Sequence, residues 1–206
     1  MKKTDTRGAG ILGVLLGALF LLPAAAFAQG REGPLRFGLR GGLVFATQDF
    51  QEPGIELSSG PVVSAIATYA TSEEVHIGGI LAWTHQDIEA TGARRGTIDP
   101  LTLLAQFEYH GGGSGPTSPY FLLGAGIHVN LASYTSQVES TLGKLETDPS
   151  FALRVGAGID HWFSPEIAVN AEAGWTLNRG TAKDGAGEFD FDASTLGILL
   201  GLRFKP

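Results

Sequence analysis

The stretch SFALRVGAGIDHWFSPEIAVNAEAGWTL, residues Ser150–Leu177, contains two alternating runs separated by a short polar segment. Every second side chain in a run is apolar, and the side chains between them are polar, charged, alanine or glycine; these two alternating sets are called here the two parities. A period of two over about ten residues is typical of a β-strand, so the stretch predicts an antiparallel hairpin with one apolar face. A turn at His161–Glu166 predicts a register that places Arg154 opposite Glu172.

The same alternation recurs along the chain and predicts eight strands in all. Besides the hairpin, strands are predicted to begin near Leu35, Val62, Val75, Leu101, Tyr120 and Thr195. The connections alternate between long and short, as they do in outer-membrane barrels, where the long loops are extracellular. The four long polar connections are predicted to be loops: Thr47–Gly60, His85–Thr97, Ala132–Pro149 and Asn178–Asp190.

The apolar face points inward in a soluble sandwich or a lipocalin-like barrel, and outward to lipid in a membrane barrel. Ten glycines lie on the polar parity of the predicted strands and two on the apolar parity, and a narrow barrel needs such small inward residues. The polar parity also carries charges that a lumen can pair, namely Arg36, Arg40, Glu108, Arg154, Asp160, Glu172 and Arg203. The sequence therefore predicts an all-β fold, an eight-stranded antiparallel transmembrane β-barrel.

The N-terminus has the pattern of a cleaved signal peptide, with Lys2-Lys3, an apolar run over Ile11–Leu22 and an A-x-A site ending at Ala28. An uncleaved membrane anchor is the alternative. The prediction is a signal peptide over residues 1–28 and one barrel domain over residues 29–206. Losing three cations and one anion with the signal changes the net charge from −7 to −9, which argues against nucleic-acid binding. The absence of Cys excludes disulfides.

Four motifs resemble those of the OmpW family of small outer-membrane barrels: the strands Ile98–Tyr109 and Ser118–Gly126, the hairpin Phe151–Trp175 and the closing strand Gly197–Phe204. The resemblance implies a protein of the bacterial outer membrane that contacts membrane lipid and lipopolysaccharide and is inserted by the barrel-assembly machinery. It also implies passive, porin-like uptake of small hydrophobic compounds through a partly plugged lumen, without a cofactor.

The predicted lumen site has two layers. Arg154 and Glu172, joined by Arg40, form a plug near mid-barrel, and Arg36, Glu108, Asp160 and Arg203 form a second layer nearer the periplasm. These charges either gate a path or only neutralise one another and hold the barrel closed. Aromatic side chains on the apolar parity are predicted to face lipid: Phe37, Trp83, Phe107, Tyr109, Phe121, Phe151, Trp175 and Phe204.

Two other classes of function remain as alternatives. Acidic residues in the loops, such as Glu56 and Glu89, favour a structural or surface-interaction barrel that shares cations with lipopolysaccharide. A lipid hydrolase needs a serine activated by a histidine, for which His128 with Ser133 is the available pair, and no catalytic signature surrounds it. The five histidines have no metal-ligand spacing, so no metal site is predicted.

Overall fold

The computed structural model describes residues 35–47, 55–111 and 115–206 of the 206-residue chain. The predicted signal peptide, residues 1–28, lies outside the described residues. None of the described helices is both long enough and apolar enough to cross a membrane.

Twelve strands and one helix make up the described fold. In chain order they are β1 (Leu35–Ala46), β2 (Ile55–Leu57), β3 (Gly60–Ala70), β4 (Val75–Thr84), β5 (Gln86–Ala90), β6 (Ala93–His110), β7 (Thr117–Tyr134), α1 (Ser136–Leu142), β8 (Glu146–Thr147), β9 (Ser150–Trp162), β10 (Ile167–Asp184), β11 (Gly187–Asp192) and β12 (Thr195–Phe204).

Eight of these strands form a closed antiparallel ring in the order β1-β3-β4-β6-β7-β9-β10-β12. The first and last strands close the ring, with Phe37 opposite Phe204 and Phe45 opposite Leu196. Closure leaves no unpaired strand edge, which a lipid environment requires. Four longer connections leave one end of the ring, called here the loop end, and three short connections leave the other, called here the turn end. The predicted eight-stranded barrel is confirmed.

The predicted apolar parity faces outward. Leu39 and Phe121 are 65% and 70% exposed, whereas Arg40 and Glu108, on the other parity, are buried. All eight predicted lipid-facing aromatics lie on the outer surface, although Trp175 is half-buried. Because water-soluble barrels bury their apolar face, this arrangement suits a barrel surrounded by lipid.

Two of the four long connections predicted as loops, His85–Thr97 and Asn178–Asp190, are largely strands, so these predictions were wrong. Ala132–Pro149 contains α1 and β8, and the described part of Thr47–Gly60 contains β2. Strand β6 begins at Ala93 instead of near Leu101, β10 continues to Asp184, and β5 and β11 pair with these extensions. Side chains still alternate here, but with inverted polarity: Ile88, Ile98 and Phe191 point inward and are buried, while charged residues point outward. The segments looked like loops because the apolar parity of the membrane part does not continue into them.

The hairpin register is also corrected. Arg154 lies opposite Thr176, and Glu172 lies opposite Gly158, so β9 is shifted by four residues from the predicted register. The physical reason is the position of the turn: pairing continues to Trp162 opposite Ala168, so the turn is centred two residues later than predicted, and each such residue moves the register by two.

Candidate functional site: the charged lumen

Glu172 is the centre of a buried ionic cluster, which we call the upper cluster (Arg40, Glu172 and Arg154). Its Oε2 accepts hydrogen bonds from Arg40 and, at 2.7 Å, from the hydroxyl of Tyr120. Its Oε1 accepts one from Arg154 at 2.8 Å. Arg154 also donates to Thr176 Oγ1 at 2.7 Å. The structure thus joins the three predicted residues, with two guanidinium groups on one carboxylate.

A second group, which we call the lower cluster (Glu108, Asp160 and Arg203), lies nearer the turn end. Arg203 donates to both oxygens of Glu108 at 2.8 Å, and its Nε lies 3.2 Å from Asp160 Oδ1. All three side chains are fully buried. Such a bidentate pair combines charge and geometry, so the lower cluster fills and rigidifies its part of the lumen.

Tyr120 separates the two clusters. Its hydroxyl donates to Glu172 and accepts a 2.9 Å hydrogen bond from Asn170, which also donates to Asp160 at 2.7 Å. The guanidinium of Arg203 stacks 4.6 Å from the centre of the Tyr120 ring. A Cβ atom at Gly158 would lie 2.4 Å from this ring, so that glycine is what makes room for it. The sequence marked Tyr120 only as the start of a predicted strand.

His76 and His110 join Glu108 beside the lower cluster. His110 Nε2 lies 2.9 Å from Glu108 Oε2, and the two imidazole rings are 4.0 Å apart. The three residues offer ligand atoms within 4.8 Å of one another, although their sequence spacing predicted no such group. Both Glu108 oxygens are bound by Arg203, whose positive charge would repel a divalent ion. The donor set therefore fits an ion-pair network and not a cation.

Trp162 closes the turn end of the lumen. The Arg36 guanidinium lies 5.4 Å from its ring centre on one side, and the Lys205 ammonium lies 3.9 Å from it. Burial and the neighbouring Arg36 lower the pKa of Lys205. Arg36, predicted in the second charged layer, lies beside the lower cluster: it reaches His76 at 3.3 Å and covers this indole.

Above the upper cluster the lumen contains a cavity of about 30 Å³. Aliphatic side chains such as Val44, Val62 and Leu199 line it together with His128 and Asn178. Since one water needs at least about 10–15 Å³, only two water-sized particles fit there. The barrel is therefore almost solid at mid-height.

A larger pocket, which we call the vestibule, opens between the strand extensions and α1 at the loop end. Its volume is about 400 Å³. Most of its walls are apolar, with Ile88, Ile98 and Phe191 from the strands and Val138 and Leu142 from the helix. The inverted polarity of the extensions thus builds a small apolar chamber outside the membrane part of the barrel.

His128 and Ser133 do not form a nucleophile and base. His128 is buried in the lumen, where it contacts Thr102 Oγ1 at 2.8 Å and the Leu177 carbonyl at 2.9 Å. Ser133 lies five residues later, on the opposite face, and contacts Thr97 Oγ1 at 3.2 Å. Residues separated by an odd number along a strand point to opposite sides of the sheet.

Several solved structures share this fold. The outer membrane protein OprG from Pseudomonas aeruginosa superposes with a TM-score of 0.71 at 16% identity, covering 84% of this chain and 97% of that one. Outer membrane protein W of E. coli gives 0.54 at 14% identity, covering 85% and 100%. Neisserial surface protein A gives 0.51 at 16% identity, covering 84% and 96%. No curated protein sequence matches the chain.

The profile of a sequence family described as "Outer membrane protein beta-barrel domain" matches residues 14–204. That span includes every strand of the ring. Together with the outward apolar face and the closed ring, the match shows that this chain belongs to the outer membrane protein beta-barrel domain family and is a protein of the bacterial outer membrane.

Proposed function

We propose that this barrel takes up small, largely apolar compounds from the extracellular side and releases them sideways into the membrane. The observation that carries the proposal is the vestibule, a chamber of about 400 Å³ lined mostly by apolar side chains at the loop end. Pockets of this size and composition are typical of sites for small apolar ligands.

The vestibule also offers a few polar groups at its margin. Arg95, Asp184 and Glu188 line it together with the apolar residues, and Tyr134 donates to Asp184 at 2.9 Å. A few polar groups in an apolar pocket orient a ligand without excluding it. The preferred ligand is therefore small and apolar, with at most one polar end.

Passage straight through the barrel is opposed by three successive obstacles. The upper cluster, the lower cluster and Trp162 fill the lumen between the cavity and the turn end. Moving an apolar compound past buried ion pairs would break their hydrogen bonds. A sideways exit at the height of Arg40 avoids the lower cluster and Trp162.

The outer surface offers a place for such an exit. A groove of about 550 Å³ lies on the lipid side, and Gly41 and Ala65 form part of its lining. Arg40, Ser64 and Ala82 line both this groove and the lumen cavity, so the wall between β1, β3 and β4 is thin at this height. We propose that ligands leave the lumen through this part of the wall.

Uptake of a fluorescent apolar probe into liposomes tests the proposal. Proteoliposomes should take up the probe faster than empty liposomes, and filling the vestibule with Ala90→Phe should remove the difference. Ala157→Phe, which adds the same volume on the lipid-facing surface, is the matched control and should leave uptake unchanged. Equal rates for wild-type and empty liposomes would contradict the proposal.

A second candidate is a surface-contact role with lipopolysaccharide. The outer face of the extensions is charged where it leaves the lipid, with Asp87 bound by Arg94 at 2.6 Å and Asp99 in contact with His85 at 2.6 Å. Adhesion or lipopolysaccharide binding that survives Ala90→Phe, while uptake is lost, would separate the two functions.

A further inference from the structure

The upper cluster carries one more positive charge than negative charge. Arg40 and Arg154 share Glu172, and the three side chains are between 0% and 11% exposed. Tyr120 is a neutral donor to the same carboxylate. A buried net charge in a low-dielectric interior costs several kcal/mol unless an opposite charge is near.

The lower cluster has the opposite excess, with two carboxylates and one guanidinium, but its carboxylates do not contact the upper cluster. Glu108 and Asp160 are both bound by Arg203, on the far side of Tyr120 and Asn170. Both oxygens of Glu172 already accept hydrogen bonds. The excess charge of the upper cluster is therefore not neutralised by protein groups in direct contact.

One donor of the cluster is left without an acceptor. The Nε of Arg154 is buried and has no hydrogen-bond partner, whereas Arg40 Nε donates to Ser64 at 3.2 Å. Both arginines line the cavity of about 30 Å³ on the loop-end side of the cluster. An orphaned guanidinium donor next to a small cavity is the local chemistry of an anion site.

We propose that the upper cluster holds a monovalent anion of the size of chloride in this cavity. The volume admits a halide, with at most one water, and excludes larger organic anions. Thr176, whose hydroxyl accepts from Arg154 and can still donate, lines the same space. The anion neutralises the two-arginine cluster and makes it a sealed, uncharged plug. The cavity borders the wall of the proposed exit route, but the stabilisation of the fold by the anion can be measured without ligand uptake.

Thermal unfolding in different salts tests the site. Refolded full-length protein should unfold at a higher temperature in sodium chloride than in sodium gluconate of equal ionic strength, because a ligand that binds only the folded state stabilises it. Arg154→Gln should abolish the difference. Ala82→Leu should abolish it as well, since the larger side chain fills the cavity while every charge stays in place. Arg179→Gln, which removes an exposed arginine, should retain it.

Bromide then locates the ion. Crystals grown in sodium bromide should show an anomalous peak beside Arg40 and Arg154 in the wild type and in Arg179→Gln, and no such peak in Ala82→Leu. The absence of a chloride effect in the wild type, its persistence in Ala82→Leu, or bromide found only at surface arginines would each overturn the proposal. If Arg154→Gln does not fold, Ala82→Leu alone decides the outcome.

Discussion

Arg154 and Glu172 form an ion pair although they are not opposite each other in the sheet. Arg154 pairs with Thr176 across β9 and β10, and its Nη2 donates to Oε1 of Glu172 at 2.8 Å. The side chain therefore leans along the lumen toward the turn end, where Arg40 meets the same carboxylate. Glu172 is shared, and removing it has a different consequence from removing either arginine.

Glu172→Gln should destabilise the barrel more than Arg154→Gln. The first change leaves two buried guanidinium groups without a counter-charge, which costs about 3–5 kcal/mol of the free energy of unfolding. The second leaves the Arg40–Glu172 pair balanced. Urea unfolding in lipid vesicles, followed by tryptophan fluorescence, measures both, with Thr176→Val as a control that removes only a hydroxyl partner of Arg154. Equal losses would mean that Glu172 is not the shared centre.

Opening the upper cluster alone should not produce an ion channel. In planar bilayers we expect neither the wild type nor Arg154→Ala to conduct, because the Arg203–Glu108 pair and Trp162 still fill the lumen below. The quadruple variant Arg154→Ala, Glu108→Ala, Arg203→Ala, Trp162→Ala, which removes part of each of the three obstacles, should conduct. Conductance of Arg154→Ala by itself would show that the upper cluster is the main barrier.

Gly201→Ala should impair folding, whereas Gly41→Ala should not. A Cβ atom at Gly201 would lie 2.1 Å from the Leu39 carbonyl oxygen and 2.8 Å from the Arg40 Cα, so no side-chain rotation relieves it. Overpacking of this kind costs about 1–3 kcal/mol. At Gly41, in the neighbouring strand, the nearest atom is 3.8 Å from the new methyl group. The folded fraction, measured by gel mobility without heating, should fall only for Gly201→Ala.

The β10–β11 hairpin at the loop end should lose stability in acid. Burial alone would raise the pKa of Asp192, but hydrogen bonds from Ser194 and Arg179 outweigh it and hold the pKa below its ordinary value. A carboxylate with a lowered pKa stabilises the folded state above its unfolded pKa, and this contribution is lost as the pH falls through the folded pKa. Amide exchange in β11, corrected for intrinsic rates, should accelerate in acid for the wild type.

Asp192→Asn provides the control for that pH dependence. It should show weaker protection of β11 already at neutral pH, with little further change in acid, because the titrating group is gone. Identical pH profiles for the two proteins would assign the effect to another group.

Alternation predicted the strands of the ring, and the glycines and charges on one parity predicted that this parity lies inside. Side chains such as Leu39 and Arg40 take opposite sides because the strand period is two, and that period does not depend on distant contacts. Parity also placed Arg154, Glu172, Glu108 and Arg203 on the lumen side. Parity does not predict which of these residues contact each other, because the contacts depend on the strand register and on how far each long side chain leans.

The features that the sequence did not predict depend on strand pairing and on the surroundings of each strand. The extensions of β6 and β10 alternate like the membrane strands, but their outer face meets water. Their outward side chains are therefore polar and their inward side chains apolar, the reverse of the membrane strands. The proximity of His76 and His110 comes from strand pairing and cannot be seen in linear spacing. The Tyr120 ring fits in the lumen because Gly158, on another strand, has no side chain. No local sequence pattern contains this relation between two distant residues.

The change of polarity along β6 also fixes how deep the barrel sits. On the outer face the strand passes from Thr97 and Asp99 to Leu101 and Leu103 within a single step of the pleat. A neighbouring strand makes the same change between Trp83 and His85, directly beside Leu101. A vertical displacement of even one such step would put carboxylates into hydrocarbon or leucines into water. The height of the barrel in the membrane is therefore fixed by the sequence, and the vestibule is held at a constant distance from the lipid.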